Sequence, residues 1–326
     1  MEGKVLVTGS NGQLGQCLKE VVKYTLNDSN YIFTTRADFD ITNIDMMREY
    51  LNNHKDISVI INCAAYTNVK KAETEEGFKQ AMLINSEGAK NLAKLCNEFN
   101  IFLIHIGTEY IMELWNCKHN NCPINEDKLD TTIVTRHKDN KEILENSLIR
   151  INKYGYSKSS GIYNIINEFG NNKNYIIIIT SWLYSEFGEN FVKTMYNRIK
   201  NGLDTEVVYT QIGSPTYAMD LAKYIVDTIE NNNCEFTNDN NNLINFANLG
   251  VASWYDIAKR VDLFICEDKI TPRKEPFDDI IRPTFSVLDL EKVRSIVGNK
   301  HYLRHWTDAL DECLEEIRYG EELNKK

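Results

Sequence analysis

Short, almost wholly apolar runs recur along the first half of the chain. Residues 5–8 (VLVT), 31–35 (YIFTT), 59–62 (VIIN), 101–106 (IFLIHI) and 175–180 (YIIIIT) read as strands. They lack polar alternation, as strands covered on both faces do. Between most of them lie longer stretches with apolar residues three and four apart, at 13–24, 45–53, 77–97 and 157–169. These read as amphipathic helices. The alternation implies right-handed βαβ crossovers and an α/β fold with a doubly wound parallel sheet.

After about residue 180 the pattern changes. Residues 217–229 and 243–247 return to the sheet as a helix and a strand, while 190–200, 253–264 and 306–319 read as helices of a smaller C-terminal lobe. Ser253 followed by Asp256 has the spacing of a helix N-terminal cap. The asparagine-rich stretch 230–242 reads as an exposed loop. Residues 126–153 are charged and only partly periodic, with a short helix at 135–149. They read as a surface insertion, with a lid over the site as the alternative.

Composition narrows the class. The 326 residues suffice for a full α/β core and a second lobe. No apolar run approaches the roughly 20 residues of a membrane helix, and a strand begins almost at once, which leaves no room for a signal peptide. A formal charge of −10 argues against a nucleic-acid partner. The cysteines (Cys17, Cys63, Cys96, Cys117, Cys122, Cys234, Cys266 and Cys313) form no C-x-x-C pair. They are expected to be reduced, largely buried thiols of a cytoplasmic protein. Cys117, His119 and Cys122 lack a fourth ligand nearby and make poor zinc spacing, so no metal is expected.

Gly9, Gly12 and Gly15 lie between the first strand and the first helix. The first permits a tight turn, the second a close backbone approach to a pyrophosphate, and the third close packing of helix on strand. The helix N-terminus then offers free N–H groups to phosphates. The spacing, G-x-x-G-x-x-G, differs from the commoner G-x-G-x-x-G, and the strand–turn–helix context gives it its weight. On this reading residues 1–181 plus about 213–248 bind a dinucleotide, and 182–212 plus 249–326 bind the substrate.

The pair Tyr-x-x-x-Lys occurs four times, at Tyr66/Lys70, Tyr154/Lys158, Tyr196/Lys200 and Tyr255/Lys259. The spacing puts both side chains on one helix face, but only Tyr154/Lys158 opens the helix that follows the fourth strand. A free phenol, with a pKa near 10, is a poor acid at neutral pH, and a nearby ammonium lowers that value. Tyr154 would then give a proton to a carbonyl oxygen as hydride arrives at carbon. Lys158 would stabilise the phenolate and hydrogen-bond the nicotinamide ribose, and Thr108, after the fourth strand, would hold the oxygen. The second strand ends with Thr35 and is followed by Arg36 rather than an acid, which suits the 2′-phosphate of NADPH more than the ribose of NADH.

With these residues in place the chain resembles the extended short-chain dehydrogenase/reductases and, within them, the dTDP-4-dehydrorhamnose reductase family. The resemblance runs almost end to end. It is carried by GxxGQLG at 9–15, DIT at 40–42, INCAAYTxV at 61–69, KAE at 71–73, YGxSK at 154–158 and TSWLY at 180–184. Five later segments belong to the nucleotide-sugar branch: NFVKTM (190–195), QIGSPTYAMDLA (211–222), SWYDIA (253–258), RPTFSVLD (282–289) and TSWLY itself. The resemblance implies a Rossmann fold and NAD(P)H reduction of the 4-keto group of a dTDP-linked 6-deoxysugar, giving dTDP-L-rhamnose. It implies Thr108, Tyr154 and Lys158 as the catalytic set. Gly9, Asn11, Gly12, Gln13, Leu14, Gly15, Asp40, Ile41, Ala64, Ala65 and Tyr66 would line the cofactor. Trp182 would face the sugar ring, with Asn190, Gln211, Ser214 and Arg282 near the nucleotide diphosphate. It also allows a homodimer.

The chain departs from the family around the threonine. Gly107 replaces a serine, Glu109 an aspartate, and residues 111–114 a V-F-D-G segment. Lys70 stands for an aspartate and Ile179 for the arginine before TSW. Two other readings follow: a UDP-sugar reductase or reductase–epimerase on the same fold, and a non-catalytic cofactor-binding subunit that regulates a partner. Retention of QIGSPT favours an enzyme.

Overall fold

The computed structural model describes residues 3–25, 27–112, 123–125, 151–231, 242–298 and 300–323. The cluster at 117–122, the expected helix at 135–149 and most of the 126–153 and 230–242 stretches lie outside the described residues.

Six parallel strands form the central sheet: β1 (Lys4–Thr8), β2 (Tyr31–Phe33), β3 (Ile57–Asn62), β4 (Phe102–Thr108), β5 (Tyr175–Thr180) and β6 (Leu243–Asn245). Their order is β6-β5-β4-β3-β1-β2. Successive side chains alternate between faces. Leu6, Ile60, Leu103 and Ile177 pack in one buried layer, and Val7, Val59, Ile61, Ile104 and Ile178 in the other. Each such side chain contributes about 1.5–3 kcal/mol by leaving water. That is why the strands read as unbroken apolar runs.

Helices α1 (Gln13–Val22) and α2 (Ile44–Asn53) follow the first two strands. After β3 come α3 (Val69–Ala72), α4 (Glu75–Ala81), a π-helical segment at Met82–Gly88, and α5 (Ala89–Phe99). Then come α6 (Lys153–Phe169), α7 (Phe191–Lys200), α8 (Ala218–Glu230), α9 (Trp254–Ile265), α10 (Glu291–Val297) and α11 (Trp306–Leu323). Leu51 of α2, Leu92 of α5 and Ile165 of α6 cover one face of the sheet, and Leu18 of α1 and Leu221 of α8 the other.

Three elements differ from the sequence pattern. The single helix expected at 77–97 is two α-helices joined by the π-segment, because α6 packs against the widened turn. The second strand stops at Phe33 rather than Thr35. There the Thr35 N–H and hydroxyl both donate to Asp38 Oδ2 (2.9 and 2.7 Å) and turn the chain. The Tyr154 helix starts four residues earlier than the pattern suggests, with Asn152 Oδ1 accepting from Gly155 N (2.8 Å) as its cap.

In the smaller lobe, α7, α9 and α11 bury Val192, Ile199, Val261, Leu310 and Leu314 against one another. Ser253 and Asp256 form a full capping box at the start of α9, as their spacing suggests. The chain does not stay in this lobe from residue 249 on. Val293 of α10, Tyr302 and Leu303 pack with the α1/α8 face of the main sheet. Arg304 then grips the fully buried Asp220 of α8 through two bonds (2.9 and 3.0 Å). No helix among the described residues is long and apolar enough to cross a membrane.

Candidate active site

The strand order reverses between β1 and β3, and a crevice opens at the carboxyl ends of these strands, where doubly wound folds bind ligands. Gly9 holds a left-handed φ of 62°, and a Cβ there would sit 2.7 Å from the Ala64 backbone. A Cβ on Gly15 would sit 2.6 Å from Ser10 Cα and 2.7 Å from Gly9 O. These two glycines let the turn fold against β3 and α1 against the turn. Gly12 caps α1 without a side-chain hydrogen bond, and the first helical turn carries no acid. Its free N–H groups therefore face the crevice as an anion cradle, which fits a dinucleotide pyrophosphate.

Gln13 binds across to the smaller lobe. Its Oε1 accepts from Asn190 Nδ2 (2.9 Å) and Ser185 Oγ (3.3 Å). Asn190 also caps α7 by accepting from Lys193 N. Asn11 supports α1 through Gln16 Nε2, which donates to its carbonyl (3.0 Å). At the far end of the crevice, exposed Arg36 donates to Asp40 Oδ2 (2.9 Å), and Asp40 Oδ1 accepts from the Thr42 N–H and hydroxyl. Ile41 is a core residue rather than a wall. It is 4% exposed and packs under Gly88, where a Cβ would lie 2.8 Å from Ile41 Cδ1.

The loop 64–66 is clamped from below by Asn85 of the π-segment. Asn85 Oδ1 accepts from Tyr66 N (2.8 Å), and Asn85 Nδ2 donates to Tyr66 O and Ser157 Oγ (both 2.9 Å). Under the crevice floor, Asn62 accepts from Thr8 Oγ1 (2.7 Å) and from Ala64 N (3.2 Å) and contacts His105 Nδ1 (3.0 Å). Periodicity marks these positions only as strand or helix, so neither the Asn85 clamp nor the Asn62 network was legible from it.

Thr108, Tyr154 and Lys158 meet in a cavity of about 710 Å³ that Gly12, Gln13, Leu14, Ala65, Trp182 and Asn190 also line. Tyr154 lies in the first turn of α6, its ring edge-on to Tyr110 (5.2 Å between centroids, 83°). Burial, with a contribution from Glu109, pushes its phenol up, and the nearby Thr108 offsets this only in part. Lys158 Nζ donates to Ile106 O (2.7 Å), and burial pushes its pKa down to about 8. Thr108 Oγ1 donates to Glu109 Oε2 (2.8 Å).

Two departures from the family account for each other. Gly107 and Ile179 are cross-strand partners on β4 and β5. A Cβ on Gly107 would lie 2.4 Å from Ile179 Cδ1, so the buried isoleucine fills space that a serine at 107 would need.

Trp182 stacks on Trp254 (3.8 Å, 10°) at the cavity wall and adopts a left-handed φ of 47°. Gly213 gives the ring room, because a Cβ there would lie 2.7 Å from it. Tyr110, Phe191 and Trp254 are shared with a second cleft of about 750 Å³, lined also by Gln211, Phe277 and Arg282. The Arg282 guanidinium is held by both carboxylate oxygens of Asp278. Ser214 lines neither space. It is 1% exposed, and its Oγ accepts from Leu288 N (3.1 Å), so its hydroxyl is spent on joining two chain segments.

The model for the RmlD substrate binding domain matches residues 3–319. The chain belongs to this family. A dTDP-4-keto-6-deoxy-D-glucose reductase of Streptomyces niveus is 29% identical to the chain, over 96% of this chain and 97% of its own. The crystal structure of a dTDP-4-dehydrorhamnose reductase from Clostridium acetobutylicum is similar at TM-score 0.78 and 30% identity, covering 97% of this chain and 99% of that one. A Bacillus anthracis dTDP-4-dehydrorhamnose reductase in complex with NADP is similar at TM-score 0.74 and 29% identity, covering 97% and 100%. Among the described residues no group of three or more His, Cys, Asp or Glu is arranged to hold a metal ion. The free thiols Cys17, Cys96 and Cys313 are buried, Cys63 is half-buried and Cys266 is exposed.

Proposed function

We propose that the protein reduces the 4-keto group of a dTDP-linked 6-deoxysugar, dTDP-4-dehydrorhamnose, to give dTDP-L-rhamnose in the cytoplasm, with NADPH preferred to NADH. The reading rests on one observation: Thr108, Tyr154 and Lys158 converge in a single cavity with the glycine turn at one side and Trp182 at the other. Bound reduced nicotinamide supplies the hydride. Tyr154 delivers the proton to the sugar oxygen, and Lys158, still largely charged at pH 7, lowers the cost of the phenolate left behind. Thr108 holds the oxygen in place. The Trp182–Trp254 stack orients the sugar. The second cleft leads from the stack to Gln211 and Arg282, and the diphosphate would compete with Asp278 for the guanidinium. The test is oxidation of NADPH with several 4-keto-6-deoxy sugar nucleotides, set beside cofactor binding alone. Turnover of a UDP sugar in preference, or binding without turnover, would select the sugar-nucleotide or regulatory alternative.

Cofactor preference rests on Arg36 and Thr35. The exposed Arg36–Asp40 pair is worth at most about 1 kcal/mol, so a 2′-phosphate displaces Asp40 at little cost. Arg36→Ala is expected to lower kcat/KM for NADPH severalfold or more while leaving NADH nearly as before. Steady-state kinetics with both cofactors decide, and equal use of NADH by the unaltered protein would overturn the preference.

A further inference from the structure

The three expected catalytic residues leave one buried group in the cavity without a role. Glu109 follows Thr108 on the one-turn helix Glu109–Met112, is 3% exposed and lines the same cavity. Its carboxyl accepts from the Thr108 hydroxyl (2.8 Å). Thr108 and Tyr154 line the same cavity. Glu109 therefore holds the hydroxyl proton of the threonine that shares the cavity with the phenol.

We propose that Glu109 is a positioning residue whose protonation sets the direction of the Glu109–Thr108 hydrogen bond, the neutral acid being the productive form. This rests on the reductase reading above. A carboxylate can only accept, so it commits the single Thr108 proton to itself and leaves Thr108 nothing to donate to the substrate oxygen. A neutral carboxyl donates to Thr108 instead and frees the Thr108 hydroxyl to donate into the cavity. The change needs one proton from solvent and no other reactant.

Glu109 is placed to make that change near neutral pH, because burial, only partly offset by the Thr108 hydroxyl and the nearby Glu109 and Trp182 amides, pushes its pKa up to about 7. The phenols of Tyr110 and Tyr154 face it, and burial pushes both up, so neither titrates in this range. On α6, Lys158 shares the cavity and is pushed down to about 8 by burial. From the segment before the short strand Phe285–Ser286, Arg282 reaches Tyr110 rather than Glu109. His105 beneath is held well below its usual value by burial and by Lys158.

The sign follows. Below about pH 7 Glu109 is neutral and kcat is high; as pH rises through 7, kcat falls with a single-proton limb, tenfold or more at the plateau. In Glu109→Gln the amide donates to Thr108 at every pH. That variant is expected to lose the limb near 7, to keep only the later one of Lys158, and to outpace the unaltered enzyme at pH 8. Glu109→Ala, which cannot donate, should be slow at every pH. Infrared difference spectra of the unaltered protein should show a carboxylic-acid band that titrates near 7 and is absent from Glu109→Gln, and this readout needs no turnover. If no nucleotide sugar is reduced, the functional reading fails while the infrared titration still stands. A limb near 7 that persists in Glu109→Gln, or a carboxyl already ionised at pH 6, would overturn the proposal.

Discussion

Tyr154→Phe is expected to lower turnover about a hundredfold or more while the fold and cofactor affinity survive. The ring is what packs: it meets Tyr110 edge-on inside a small apolar cluster with Ala72 and Ala81, and phenylalanine preserves that contact. The hydroxyl is what reacts, and its removal leaves the sugar oxygen without its proton donor. Single-turnover rates separate the two, with cofactor affinity measured by fluorescence. Reduction at the unaltered rate would remove Tyr154 from the mechanism and favour a binding role for the chain. Lys158→Met should lose both turnover and cofactor affinity, since the same ammonium serves both.

The second large effect is structural. A Cβ on Gly161, in the middle of α6, would lie 2.0 Å from the Asn85 carbonyl oxygen of the π-segment. Backbone cannot yield as a flexible side chain can, so Gly161→Ala must drive α6 from the widened turn. We expect a loss of about 2–3 kcal/mol or more, as for overpacked cores. Asn85 also clamps the Tyr66 loop and Ser157, so cofactor affinity should fall with stability. Urea unfolding together with cofactor titration tests both. An unchanged midpoint would mean that α6 does not depend on this close approach.

The same pair of residues shows where sequence reading stops. Periodicity assigned residues 77–97 to one helix because the apolar spacing continues through the π-segment. The widened turn exists to receive Gly161, which lies far along the chain. Likewise DIT at 40–42 matches the family, yet Ile41 turns inward under Gly88, and Ser214 within QIGSPT is spent on Leu288 N. Motif identity says that a segment is shared; it does not say which of its side chains faces the ligand.

By itself the sequence determined the strands, most of the helices, the glycine turn and, among four Tyr/Lys pairs, that Tyr154/Lys158 opens the helix after the fourth strand. Those features depend on burial and on spacings of a few residues, and local spacing is what a linear pattern encodes. Only the tertiary structure decided the Gln13–Asn190 bond between the lobes, the pairing of Gly107 with Ile179, the Asp38 turn that shortens β2, and the return of Val293, Tyr302 and Leu303 to the main sheet. It also decided the state of Glu109. A glutamate in a sequence is an exposed acid until the fold encloses it, and here burial pushes its pKa up to about 7. Contacts between distant segments and the loss of solvent around a charge are properties of the packed chain, so they have no local signature to read.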